Sequence, residues 1–101
     1  MEHYVVLITT PEADTANVIS EAVISEKLAK CVNIIKEVKS VFQWDGKINH
    51  ENECLMIIKT KKENFKYLME KVKTLHPYTV PEIIALPIVE GSEDYLNWLG
   101  S

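Results

Sequence analysis

Three side chains of this 101-residue sequence have the chemistry to hold a metal ion: the thiol of Cys31, the imidazole of His76 and the carboxylate of Glu82. A thiolate and an imidazole suit Cu(I), Cu(II) or Zn(II), and the carboxylate supplies a harder third donor. Nothing in their spacing forces them together. Cys31 also reads as a small buried hydrophobe at a helix-to-strand junction, and His76 as a helix-ending residue whose ring meets the last carbonyls. A second polar cluster, His50-Glu51-Asn52-Glu53, alternates along an extended segment, so its members point to opposite faces and cannot surround one ion without a neighbouring strand. That segment is expected to be a solvated stretch of hairpin.

Composition removes several other chemistries. All 11 basic residues are lysine, and the formal net charge is −4. Without arginine the chain lacks the preferred bidentate partner of phosphate and guanine, and its negative total opposes approach to a polyanion, so nucleic acid is not an expected partner. Cys31 and Cys54 form no Cys-x-x-Cys pair and no Cys/His finger spacing, which predicts two reduced thiols rather than a disulfide framework or a structural zinc site. The only glycines are Gly46, Gly91 and Gly100, so no glycine-rich phosphate loop is present. No nucleophile-base pair is legible either, and a non-enzymatic protein is expected. The start, Met-Glu-His-Tyr, has no basic patch followed by a long apolar stretch, and no apolar run reaches membrane-spanning length. The expectation is a cytoplasmic chain with no removed leader and no membrane partner.

The elements that must position these residues follow from periodicity. Residues 1–101 read as one globular domain, 47% apolar and 26% charged. His3 to Thr10 is β-branched and aromatic and is stopped by Pro11, which predicts a strand. Glu12 to about Lys30 lacks Gly and Pro and repeats apolar residues at helical spacing. Cys31 to Trp44 and Lys47 to Thr60 flank Asp45-Gly46, a positive-φ turn dipeptide, and predict a hairpin much longer than usual that overhangs its own domain. From Lys61, the residues Phe65, Leu68, Val72 and Leu75 mark a second amphipathic helix that ends before His76-Pro77. Glu82 to Val89 is a strand whose prolines confine it to an edge, and Glu93 to Leu99 is a short helix with Ser92 as its expected N-cap.

Strand, helix, strand, strand, helix, strand is the order of the α+β, ferredoxin-like βαββαβ fold, here with an additional C-terminal helix. In the third strand Cys54, Met56 and Ile58 alternate with Leu55 and Ile57, so both faces are apolar. One layer of helices covers only one of them. A second subunit is the economical cover for the other.

Five blocks in order make the sequence resemble the CutA family, the divalent-cation tolerance proteins. They are Leu28-Ala29-Lys30-Cys31-Val32-Asn33-Ile34, Trp44-Asp45-Gly46-Lys47-Ile48, Ile58-Lys59-Thr60, His76-Pro77-Tyr78 with Val80-Pro81-Glu82-Ile83, and Tyr95-Leu96-x-Trp98. The resemblance implies a cytosolic homotrimer built through intersubunit strand pairing and associated with copper and other divalent cations, with no obligatory cofactor. It carries the family's copper positions onto Cys31 and His76, and places Trp44, Lys59, Tyr78, Glu82 and Trp98 near clefts between subunits. Those five would form an aromatic pocket with a lysine and a carboxylate, suited to a small anionic or zwitterionic molecule; they also read as interface anchors and an ion pair. Two positions depart from the family pattern, Thr79 where a glutamate is usual and Phe42 where a tyrosine is common, each removing a polar group.

Other proteins of the same element order need residues that are missing. Acylphosphatases need an arginine, heavy-metal transfer domains carry Cys-x-x-Cys where this chain has Thr9-Thr10-Pro11-Glu12, and RNA-recognition domains need basic and aromatic residues on the third strand. Beside metal tolerance, the alternatives are a trimeric signalling module that binds a small metabolite in intersubunit clefts and a structural scaffold. The two-residue Asp45-Gly46 tip argues against a long partner-binding loop.

Overall fold

A computed structural model describes residues 2–101. β1 (His3–Thr10) leads to α1 (Ala13–Ser25), then β2 (Cys31–Trp44) and β3 (Lys47–Lys61) form a hairpin; a 3₁₀ turn (Lys62–Asn64) opens α2 (Phe65–Leu75), followed by β4 (Ile83–Pro87) and α3 (Glu93–Leu99). The single antiparallel sheet has the order β2-β3-β1-β4. β4 pairs with β1 alone, so Pro87 sits on an edge strand where its missing N–H costs no ladder bond.

The predicted elements are present with shifted ends. α1 stops at Ser25 rather than near Lys30 because Lys27 adopts φ 59° and turns the chain out of the helix. The Leu28 and Ala29 amides then both bond the Val23 carbonyl, satisfying the helix end. No glycine marks this stop, so sequence periodicity ran past it. Ser92 precedes α3 as expected, yet its side chain makes no capping bond; only its carbonyl accepts, from the Leu96 amide.

One side of the sheet carries the core. Val6, Ile8, Cys54, Met56 and Ile58 pack under Ala16, Ile19 and Val23 of α1 and Leu68 and Val72 of α2. Two buried threonines seal its ends: Thr60 donates to the Leu28 carbonyl at 2.7 Å and Thr10 to the Glu12 carbonyl at 3.1 Å. The opposite side holds the other set of alternating residues. Leu7, Leu55 and Ile57 are half-buried there, while Ile35, Ile84 and Leu86 remain 44%, 49% and 48% exposed. Strand three is thus apolar on both faces, with helices over one of them.

The hairpin is the longest feature of a molecule measuring 44 × 26 × 22 Å. β1 pairs with β3 only from Lys61 to Cys54, so Lys47 to Glu53 and their β2 partners project beyond the end of β1. Asp45 (φ 53°) and Gly46 (φ 71°) both take left-handed dihedrals, the geometry of a two-residue turn that matches strand twist. A bulge between Ile35 and Val38 shifts the register once along the way.

Candidate functional site

The overhang and the loop after α2 enclose an open pocket of ≈ 890 Å³. The turn pairs Trp44 with Lys47, which sets Phe42 against Asn49, Ser40 against Glu51 and Val38 against Glu53. Alternate residues share a face, so Trp44, Phe42, Asn49, Glu51 and Glu53 line one wall. Tyr78, Thr79, Val80 and Glu82 line the other.

His76 holds that loop from behind. Its ring is buried; Nδ1 accepts the Tyr78 backbone N–H at 3.1 Å, and Nε2 lies 2.7 Å from the Thr9 carbonyl oxygen. Because Nδ1 accepts, Nε2 carries the proton and donates it to Thr9, which fixes a neutral ring in one tautomer. The Tyr78 ring stacks at a tilt on His76, with centroids 4.8 Å apart, and its hydroxyl donates to Glu53 Oε2 at 2.8 Å. Burial pushes the Tyr78 phenol well above its ordinary value, and the Glu53 carboxylate that accepts its proton, with Glu51 nearby, pushes it further. Glu53 is therefore a buried structural acceptor, in contrast to the solvated hairpin residue expected for the 50–53 segment.

A second cluster lies at the far end of β2. Cys31 pairs in register with Lys59, whose ammonium is 4.0 Å from the sulfur and donates to Asn33 Oδ1. The Cys31 thiol itself faces Asn33 Oδ1 at 3.8 Å. Tyr95 of α3 sits beside the thiol: burial raises its phenol, and the charge and hydrogen bond of the Cys31 sulfur add to the rise. Trp98 stacks on Tyr95 with centroids 5.6 Å apart and receives the Lys30 ammonium 5.2 Å from its ring.

These placements separate residues that the sequence grouped. Cys31, His76 and Glu82 do not meet within the chain. Cys31 lies opposite Lys59, which pairs with Val5, whereas His76 is bound to Thr9, four residues or roughly 13 Å farther along β1. Among the described residues no group of three His, Cys, Asp or Glu side chains could hold an ion. A lysine ammonium beside the thiol and an imidazole with both nitrogens engaged do not fit a closed metal centre in one chain. Likewise Trp44, Tyr78 and Glu82 share the overhang pocket, but Lys59 and Trp98 belong to the Cys31 cluster. Glu51, Glu53 and Tyr95 were missed as site residues. For the two glutamates the signal existed, since a two-residue turn at 45–46 dictates which residues face Phe42 and Ser40.

The family profile described as "CutA1 divalent ion tolerance protein" matches residues 4–101. A Thermus thermophilus protein named "Divalent-cation tolerance protein CutA" is 50% identical over 94% of this chain and 92% of its own length. An Arabidopsis thaliana protein, "Protein CutA, chloroplastic", is 44% identical over 94% of this chain, which spans 52% of that longer protein. The solved structure of the divalent cation tolerance protein (Cut A1) from Thermus thermophilus superposes with a TM-score of 0.95 at 48% identity, covering 97% of this chain and 95% of the other.

Proposed function

The chain belongs to the CutA1 divalent ion tolerance family, and we propose that it acts as a non-enzymatic homotrimer contributing to divalent-cation tolerance, with any tight ion site built between subunits rather than inside one. The observation that carries this reading is the uncovered apolar sheet face. Ile35, Ile84 and Leu86 are exposed in the single chain, and Cys31 opens onto the same side of β2 as Ile35. Covering that face would bring donors of a neighbouring chain toward the thiol that its own chain does not supply. The same assembly would join the two halves of the predicted cleft, since Trp44 stands thirteen residues, roughly 40 Å, along β2 from Cys31. A ferredoxin-like assignment is supported by the element order and by the β2-β3-β1-β4 sheet.

A cytoplasmic location is part of the proposal and is supported by the two free thiols; no described helix is long and apolar enough to cross a membrane. The test is calorimetric titration of reduced, metal-free protein with Cu(I), Cu(II) and Zn(II), with oligomeric mass measured in parallel. Submicromolar, stoichiometric binding by a trimer, lost in Cys31→Ser, is the expected result. A monomer, or a trimer binding none of these ions below millimolar, overturns the reading.

A further inference from the structure

We draw no further inference here: the strongest candidate, the apolar groove between α2 and the edge strand β4 lined by Tyr4, Phe65, Met69 and Ile83, carries nothing beyond the reading above, because nothing in the structure shows what covers it and a second copy pairing along β4 would restate the intersubunit strand pairing that the family resemblance already implies.

Discussion

Tyr78 donates its phenol proton to Glu53 Oε2 across 2.8 Å, tying the loop after α2 to the strand that overhangs the sheet. Two backbone bonds through His76 brace the same loop on its other side. The pocket wall is thus held by contacts among residues that are distant in sequence, and its integrity should respond to single atoms.

Removing the hydroxyl in Tyr78→Phe leaves a largely buried carboxylate oxygen without its donor. The expected cost is about 1–3 kcal/mol, read as a lowered midpoint in urea with an unchanged slope. A midpoint equal to the wild type would show that the bond contributes nothing net.

The same pair predicts an alkaline limb. The Tyr78 phenol is raised in the fold, first by burial and then by Glu53, above its unfolded value of 10.0. A group raised on folding contributes stability that is complete below the unfolded value and is lost as pH climbs past it. Thermal stability should therefore fall from about pH 10 upward, more steeply than in Tyr78→Phe. Parallel pH profiles for the two proteins would contradict this.

His76 is expected to be a structural residue. Nitrogen-15 spectra of the ring should show protonation at Nε2 and a bare acceptor at Nδ1. His76→Ala should cost about 2–4 kcal/mol through two lost hydrogen bonds and a cavity, while stoichiometric copper binding by the folded fraction persists. Selective loss of copper from a stably folded His76→Ala protein would instead make the imidazole a ligand.

Gly46 has φ 71° with open space where a Cβ would stand, so the cost of Gly46→Ala is conformational and not steric. About 1–2 kcal/mol of destabilisation is expected, with Asp45→Asn nearly neutral because Asn tolerates the same left-handed geometry. Equal stability of Gly46→Ala and wild type in chemical denaturation would count against the turn geometry.

Ile84 and Leu86 offer a test of the proposed assembly that is separate from folding. Each is about half exposed in the single chain, so Ile84→Lys with Leu86→Lys should leave a folded protein with native far-UV circular dichroism. Sedimentation should nevertheless show dissociation, because two ammonium groups would be buried without partners in any interface over that face. An unchanged oligomeric mass would place the interface elsewhere.

Local chemistry made much of the architecture legible. Asp45-Gly46 specifies a turn by its dihedral preference, Pro11 and Pro77 bracket elements, and the alternation of Cys54 to Ile58 declares two apolar faces. The end of α1 was not legible, because Lys27 adopts a left-handed conformation that no residue type announced, and the burial of Glu53 depends on a tyrosine 25 positions away.

What the sequence determined by itself was the order of the elements, the hairpin turn and the family, since each rests on neighbours in the chain or on a linear pattern. Tertiary structure alone decided which candidate residues meet. Cys31 and Lys59 stand at one end of a strand pair and Trp44 at the other, with Tyr78 and Glu82 delivered by a loop from a separate helix. At about 3.3 Å per residue, strand length turns modest sequence distance into separations no side chain can span, and only the folded register shows which groups lie on the same side of that gap.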